Sequence, residues 1–300
     1  MKIIQQKNKF FILSGILIIA SVVLLIVWGL KPGIDFRGGV LTEIRFEEQH
    51  PDKTEFTNKL QELNLNDLTV QASGEKKMLI RFISDDDEIN SKVQEKIKET
   101  YPKSVVERTS FISSAISGEM KGKAMQAIVV AIIGIMFYIM WAFRRVSYPV
   151  ESWKYGLGAI LALAHDIIIT LGVFAFLGHQ YGIEVNIPFI AALLTILGYS
   201  VNDTIVIFDR IRENLNKAKA KKNFEDTVNR SINESMARSI NTSLTVVVVL
   251  LAIIFFGGES IRNFSVALLV GIILGTYSSI FIASAILVKF WEVKSSRASG

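Results

Sequence analysis

The sequence alternates between long apolar segments and polar stretches. Six apolar segments stand out, at residues 10–30, 125–143, 155–177, 187–208 and 264–288 and in a stretch that ends near residue 256. A helix of about 20 mostly apolar residues is long enough to cross the hydrocarbon core of a bilayer. The pattern therefore predicts six transmembrane helices.

The fifth segment is shorter than the others. Its uninterrupted apolar part covers only residues 244–256, which is too short to cross a bilayer. A spanning helix must therefore begin further back, in the polar stretch around residues 236–243. This places Arg238, Asn241 and Thr242 at membrane depth.

Residues 40–111 follow a different pattern. Alternating apolar and polar side chains predict strands at residues 41–46, 68–72, 78–82 and 104–111, and helical spacing predicts helices at residues 55–63 and 89–101. The order β-α-β-β-α-β is typical of a ferredoxin-like module. The predicted fold is an α-helical polytopic membrane protein with this small α+β domain between transmembrane helices 1 and 2.

Composition agrees with this class. Half of the 300 residues are hydrophobic, and the mean hydropathy is +0.39. The formal net charge of +5 reflects Lys and Arg collected in cytoplasmic loops, so no nucleic-acid partner is expected. The chain has no cysteine, and its three histidines lack ligand spacing, so no metal site is predicted. No phosphate-binding glycine loop of the Walker type is present, which argues against an ATPase.

Basic residues are distributed unevenly among the short loops. Arg144, Arg145 and Lys154 lie between segments two and three, and a larger basic set follows segment four, between residues 210 and 230. The loops on the other side, residues 179–184 and 257–263, contain only one Lys or Arg residue, Arg262. The positive-inside rule therefore predicts cytoplasmic termini and an extracytoplasmic module.

Four regions follow from this topology. They are an N-terminus with the first helix at 1–30, an extracytoplasmic domain at 31–123, helices two to six at 124–290, and a cytoplasmic tail at 291–300. The first helix follows several lysines but is too long for the core of a cleaved signal peptide, so it is predicted to remain as an anchor.

Asp203 is the most informative residue of the chain, because it lies inside an apolar segment. A carboxylate at the centre of a membrane helix costs roughly 3 kcal/mol on insertion scales. Asp203 shares a helical face with Thr195, Tyr199 and Ser200, so this face is expected to look toward other helices. The functional interpretation is a carboxylate that gains and loses a proton; the alternative is a side chain that reaches water at the cytoplasmic end. Intramembrane carboxylates favour the functional interpretation.

Two other charged residues are candidates for the same chemistry. Arg238 is either the counter-charge of Asp203, holding it ionised when close, or an arginine that marks the membrane interface. Asp166, which follows His165 midway along segment three, is either a second relay position or a buried hydrogen-bond partner. His165 itself is interpreted as a packed histidine. Gly271 and Gly275 form a GxxxG pair that favours close helix packing.

Several motifs now resemble a known family. The stretch Gly33-Ile34-Asp35-Phe36-Arg37-Gly38-Gly39 resembles the signature that opens the extracytoplasmic region of SecD/SecF proteins. Residues 198–214, GYSVNDTIVIFDRIREN, are similar to the fourth-helix motif of the SecF members of that family, and residues 231–245 resemble the segment that enters their fifth helix. The pair at 165–166 and the residues 275–279 also match in kind. The resemblance covers nearly the whole chain, in the family's order.

The resemblance implies an accessory subunit of the bacterial Sec translocase, in the RND superfamily and in the cytoplasmic membrane. Such a subunit works with SecD and uses the proton motive force, with no cofactor, to promote protein export after the step powered by the SecA ATPase. The implied partners are SecD, the SecYEG channel, YajC, the translocating polypeptide and the lipid bilayer. In this family the positions of Asp203 and Arg238 are associated with proton flow. The resemblance also implies that the outer module changes position, and residues 29–39 are our candidate hinge.

Two other hypotheses compete with the proton-coupled export subunit. A small-molecule efflux subunit of the same superfamily would need a large apolar pocket in the outer domain. A purely structural partner of a SecD-like protein would not need a titrating Asp203.

Overall fold

The computed structural model describes residues 2–84, 86–144, 150–218 and 224–298. Within these residues, six helical segments are long and apolar enough to cross a membrane. They cover Ile4–Val27, Ser114–Ala142, Ser152–Tyr181, Ile187–Lys217, Phe224–Phe256 and Ile261–Ser295. The prediction of six transmembrane helices is confirmed.

The elements are labelled in chain order. After a short 3₁₀ turn at Ile4–Gln6, the helices are α1 (Lys7–Val27), α2 (Ile34–Arg37), α3 (Lys53–Gln61), α4 (Asp87–Thr100), α5 (Ser114–Ala142), α6 (Ser152–Tyr181), α7 (Ile187–Ala218), α8 (Phe224–Phe256), α9 (Glu259–Tyr277) and α10 (Ser284–Ala298). A π-helical segment at Ser278–Ala283 joins α9 to α10. The strands are β1 (Gly39–Phe46), β2 (Asn66–Ser73), β3 (Lys77–Ile83) and β4 (Ser104–Ile112).

Two helices extend beyond their apolar segments. Helix α5 begins at Ser114, eleven residues before the apolar run, and α8 begins at Phe224. The prediction that the fifth helix starts within the polar stretch before residue 244 is confirmed, and the helix in fact begins still earlier. Polar side chains do not stop a helix, because helix propensity differs little among ordinary residues.

The chain divides into two compact units. One contains residues 1–31, 127–183 and 188–300, and the other contains residues 32–126 together with residues 184–187. The second unit is the predicted α+β module, joined by the short connection between α6 and α7.

The module has the predicted ferredoxin-like topology. Its four strands lie in the order β2-β3-β1-β4, and every neighbouring pair is antiparallel. The side chains of β1 alternate between the core and the other face of the sheet, so that Val40, Ile44 and Phe46 are buried. They pack with Phe56 of α3 and Val93 of α4 in one apolar core.

The helical unit has an inner and an outer set of helices. About half of the most apolar stretch is buried in α6, in α7 and in the last helical span, whereas the fraction is 11% in α1, 6% in α5 and 17% in α8. The inner helices hold the two buried carboxylates, Asp166 and Asp203, while outer helices α1 and α8 also turn serines inward. Helix α7 supplies Ser200 and Asp203 to this interior, but Thr195, expected on the same inward face, is exposed.

Candidate functional site

Asp203 lies on the inner side of α7 and is only 8% exposed. Its Oδ1 accepts a hydrogen bond of 2.5 Å from the hydroxyl of Ser239 on α8. Its Oδ2 is buried and has no hydrogen-bond partner within the described part of the chain. A buried polar atom without a partner is uncommon in native proteins and often marks a functional group. One oxygen of the carboxyl group is therefore fixed by a hydrogen bond, and the other is buried without one.

Arg238 does not contact this carboxylate. No ion pair joins Asp203 to Arg238 among the residues that the structure describes, and the Arg238 side chain is exposed. Its neighbour along α8, Ser239, takes the inward position instead and is 1% exposed. The predicted turn of α8 is therefore the one that meets Asp203, but the contacting residue is Ser239 rather than Arg238.

Arg238 instead lines a cavity between α7 and α8. The cavity has a volume of about 330 Å³ and is lined by Ile205, Val206, Asp209, Arg210, Glu213, Glu234, Ser235 and Arg238. On α7, residues 206, 210 and 213 follow Asp203 at intervals of three, four and three, so they share its face of the helix. Charged groups thus continue from Asp203 toward the C-terminal end of α7. Arg210 forms ion pairs there with Glu213 and Glu234.

The second intramembrane carboxylate, Asp166, is the centre of a hydrogen-bond cluster. It is fully buried on α6. Its Oδ2 accepts hydrogen bonds from the hydroxyls of Ser200 at 2.6 Å and Ser278 at 2.8 Å, and its Oδ1 lies 2.9 Å from Nδ1 of His165. Asp166 thus has three partners, from α6, α7 and the π-helical segment, whereas Asp203 has one.

The cluster continues to the first helix. Nε2 of His165 lies 3.1 Å from the hydroxyl of Ser14, which in turn lies 3.2 Å from the hydroxyl of Tyr277. His165 is 3% exposed, so its interpretation as a packed histidine fits, but its ring is also a link in a polar chain. Ser14 was not among the predicted site residues, and Tyr277 was noted only within the family-like stretch 275–279. The available signal was the presence of two serines, Ser14 and Ser21, in an otherwise apolar segment.

One turn of α7 joins the two carboxylates. Ser200 binds Asp166, and three residues later Asp203 binds Ser239 on the opposite neighbour. The hydroxyl of the next residue, Thr204, lies 2.7 Å from the hydroxyl of Ser279. The Ser279 hydroxyl in turn donates a hydrogen bond to the backbone oxygen of Ser200. π-helical turns inside α-helices occur frequently at functional sites. Here the π turn brings two successive serines, 278 and 279, onto this cluster.

The GxxxG pair lies where α9 passes α7. A Cβ added to Gly271 would approach the side chain of Ile196 to 2.2 Å, and one added to Gly275 would approach Cβ of Ser200 to 2.9 Å. These distances leave no room for a side chain. The absence of side chains at the two glycines thus lets α9 approach the part of α7 that carries Ser200.

The glycine-rich stretch after α1 opens the module. Gly38 and Gly39 have φ values of +79° and +112°, and a Cβ on Gly39 would lie 2.4 Å from the backbone oxygen of Phe82. Both positions therefore require glycine. Gly33 is buried, Phe36 is half-buried, and Asp35 accepts a hydrogen bond from the backbone N–H of Ile187.

No group of three or more His, Cys, Asp or Glu side chains suited to a metal ion occurs within the described ranges. The outer module contains a depression of about 530 Å³ lined by Thr57, Gln61, Asn64, Leu65 and Leu68. Three of these five side chains are polar, which does not fit the large apolar pocket that the efflux hypothesis needs.

Comparisons with known proteins agree with this architecture. The family description "Protein export membrane protein SecD/SecF, C-terminal" matches residues 92–293, and the "SecD/SecF GG Motif" matches residues 23–49. The chain is 38% identical to the protein translocase subunit SecF of Thermobaculum terrenum, over 97% of this chain and 94% of that protein. It is 39% identical to the subunit of the same name from Calditerrivibrio nitroreducens, over 94% and 91% of the two chains.

Solved structures give the same result. The crystal structure of SecDF, a translocon-associated membrane protein from Thermus thermophilus, superposes with a TM-score of 0.85 at 32% identity. The match covers 98% of this chain and 39% of that one, so the chain corresponds to well under half of SecDF. A SecDF structure in a super-membrane-facing form superposes with a TM-score of 0.71. The chain belongs to the SecD/SecF family of protein-export membrane proteins.

Proposed function

We propose that this chain is an accessory subunit of the Sec translocase that, with SecD, uses the proton motive force to promote protein export after the ATP-driven step. The observation that carries the proposal is Asp203, a buried carboxylate with one oxygen held by Ser239 and the other without a partner. Such a group can bind a proton without breaking an existing hydrogen bond. Asp166, with its three partners, supports the geometry of α7 one turn away and is the second candidate for the relay.

The proton motive force is large enough for this role. Moving one elementary charge across 100 mV corresponds to about 2.3 kcal/mol. Since about 1.4 kcal/mol is a factor of ten in an equilibrium, one proton biases two conformations more than tenfold. The bias acts only if the two conformations differ in how they bind the proton.

Arg238 is the group that makes the conformations differ. Successive residues of an α-helix are about 100° apart around the axis, because a turn contains 3.6 residues. Ser239 faces Asp203, so a rotation of α8 by roughly one residue would replace the serine hydroxyl with the Arg238 guanidinium. The nearby cation would then hold Asp203 ionised, and its return to the cavity would let Asp203 take up a proton.

The exposed face of α7 and α8 supports a SecD-type partner in the membrane. Polar residues are exposed along this face although they lie in membrane-spanning helices; they are Thr195, Asn202, Arg238, Asn241 and Thr242. Polar groups at membrane depth are costly when they face lipid, so they face protein or a water-filled cavity. A second helical subunit covering this face would surround these polar groups with protein, and it would bring Arg238 into the interior of the complex.

The remaining assignments follow from topology and family. The charge distribution supports cytoplasmic termini and an extracytoplasmic module, with lipid around the outer helices. The SecYEG channel, YajC and the translocating polypeptide are the other proposed partners, and the energy comes from the proton gradient without a cofactor. A single cysteine in place of Lys103, which is 75% exposed, tests the orientation. It should react with an impermeant maleimide in intact cells, whereas a cysteine in place of Asp226 should not.

Proteoliposomes that contain the full chain, SecD and SecYEG test the function. SecA and ATP start translocation of a preprotein, and an imposed proton gradient then stimulates it. We expect Asp203→Asn to abolish the stimulation by the gradient and to leave the ATP-driven step intact. Asp226→Asn is the matched control, since Asp226 is exposed in the first turn of α8. Full stimulation with Asp203→Asn would refute proton coupling through this residue and leave a structural subunit.

A further inference from the structure

The connection between α6 and α7 belongs to the outer module rather than to the helical unit. Residues 184–187 are part of the same compact unit as residues 32–126. Three different contacts hold them there. The backbone N–H of Gly33 donates to the backbone oxygen of Val185 at 2.8 Å, and Pro32 forms a parallel β-bridge with Val185. Nε of Arg81 on β3 lies 3.1 Å from the Glu184 carboxylate, and both side chains are largely buried.

A fourth contact involves the start of α7. Asp35 Oδ2 accepts a hydrogen bond of 2.8 Å from the backbone N–H of Ile187, the first residue of the helix. The first N–H groups of a helix have no partner inside the helix, and a carboxylate is favoured there by the helix dipole. The next residue, Pro188, has no N–H to offer. A side chain that binds the first N–H of α7 thus comes from a position 152 residues earlier in the chain.

Glycines make this arrangement possible. A Cβ on Gly33 would lie 3.2 Å from the Glu184 carboxylate and 3.3 Å from the Val185 oxygen. Gly38 and Gly39 turn the chain directly from α2 into β1 with positive φ values. Residues 33–39 are therefore fixed to the sheet at one end and to the α6–α7 connection at the other.

We propose that Asp35 is a positioning residue for proton coupling, because it ties the first turn of α7 to the outer module. Helix α7 is continuous from Ile187 to Asp203. A displacement of the module is transmitted through Asp35 and the Arg81–Glu184 pair to the start of this helix, and a displacement of α7 is transmitted back. Residues 33–39 act as the link, not as a flexible joint. The inference depends on the proposed function, since it needs Asp203 as the proton site.

The primary experiment replaces Asp35 with alanine in the full chain, reconstituted with SecD, SecYEG and SecA. Two quantities are measured separately, the proton flux through the complex and the stimulation of translocation by the gradient. We expect Asp35→Ala to reduce the stimulation about fivefold or more, because the loss of a helix cap shifts an equilibrium by about this factor. The proton flux should continue. Asp203→Asn, by contrast, should abolish both.

Asp52→Ala is the matched control. Asp52 caps α3 in the same module by accepting from the N–H groups of Thr54 and Glu55, but α3 does not lead into the membrane. Equal loss of stimulation in the Asp35 and Asp52 variants would overturn the inference, as would full stimulation with Asp35→Ala. If Asp203→Asn kept the stimulation, the proposed function itself would fail, so the two failures are distinguishable.

A disulfide variant decides the matter if Asp35→Ala folds poorly. The chain has no native cysteine. Paired residues in neighbouring strands lie about 4.8 Å apart, which is within the Cα separation that disulfides span. We expect the double variant Pro32→Cys with Val185→Cys to keep its gradient-driven stimulation when oxidised. The disulfide would fix a contact that, in our proposal, persists throughout the transport cycle. Loss of stimulation on oxidation, restored by a reductant, would overturn the inference.

Discussion

Ser239 and Asp203 form a hydrogen bond between α8 and α7, and this bond leaves the second oxygen of the carboxylate without a partner in the described residues. Ser239 is therefore the residue that fixes the orientation of Asp203. The two side chains are 36 residues apart in sequence and lie on the two helices that also line the charged cavity.

Replacing Ser239 with alanine should weaken gradient-driven translocation. Hydrogen bonds to charged groups contribute about 1.5–3 kcal/mol, so the fraction of Asp203 in its working orientation should fall roughly tenfold or more. The measurement is the rate of gradient-stimulated translocation in reconstituted vesicles. Ser239→Thr keeps the hydroxyl and should retain most of the stimulation. Equal activity of the alanine and threonine variants would show that this bond is not needed.

The two interpretations of Asp166 can be separated by two substitutions. Asp166→Ala removes the acceptor for Ser200, Ser278 and His165 at once, and buried groups without partners cost about 1–3 kcal/mol each. We expect the melting temperature in detergent to fall by roughly 5–10 °C. Asp166→Asn preserves the shape and the acceptor oxygen, so its effect on melting should be smaller.

Gradient-driven translocation by Asp166→Asn then identifies the role. If Asp166 is structural, we expect stimulation close to that of the unsubstituted chain when equal amounts of folded protein are compared. If Asp166 is a relay residue, we expect the stimulation to be lost although the protein is folded. The structure, with all three partners in place around a buried carboxylate, leads us to expect the structural outcome.

The residue pattern was sufficient to predict most of the fold. Strand alternation located all four strands of the outer sheet, and the length of the apolar run correctly required α8 to begin in polar sequence. Side-chain contacts were harder to predict. Arg238 and Ser239 are neighbours in sequence but point about 100° apart, and the rotation of a helix depends on tertiary packing that periodicity does not determine. Thr195 was assigned to the inward face for the same reason and is exposed.

Close packing at the GxxxG pair predicts a strong effect of a single methyl group. Gly271→Ala places a Cβ within 2.2 Å of Ile196, which is buried and stiff because it is β-branched. Overpacking of this kind costs about 1–3 kcal/mol, so the melting temperature should fall by several degrees. Gly198→Ala on α7 is the matched control, because no atom lies within 4 Å of its added Cβ. A melting temperature unchanged by Gly271→Ala would contradict the close approach of α9 and α7.

Acid should loosen the outer module through the ion pairs on its sheet. The Lys77 ammonium group, hydrogen-bonded to Glu107, lowers the pKa of that carboxyl group from its ordinary value of 4.5. A group whose pKa is lowered by folding contributes stability above its unfolded pKa, and this contribution is lost as the pH falls through the folded value. The module should therefore become less stable below about pH 4.5. The two side chains are 37% and 28% exposed, so solvent screens the pair and its contribution is at most about 1 kcal/mol, or roughly fivefold in an equilibrium.

Thiol labelling measures this loss in the full chain. A cysteine in place of Val93, a fully buried residue in the module core, is labelled by a pyridyl disulfide, a reagent that reacts in acid. We expect the labelling rate, relative to that of a free thiol, to rise as the pH falls from 5 toward 3. Adding Lys77→Met should raise the rate at pH 5 and make its pH dependence shallower, because the lowered pKa of Glu107 depends on that cation. An unchanged slope in the Lys77 variant would show that other carboxyl groups govern the acid response of the module.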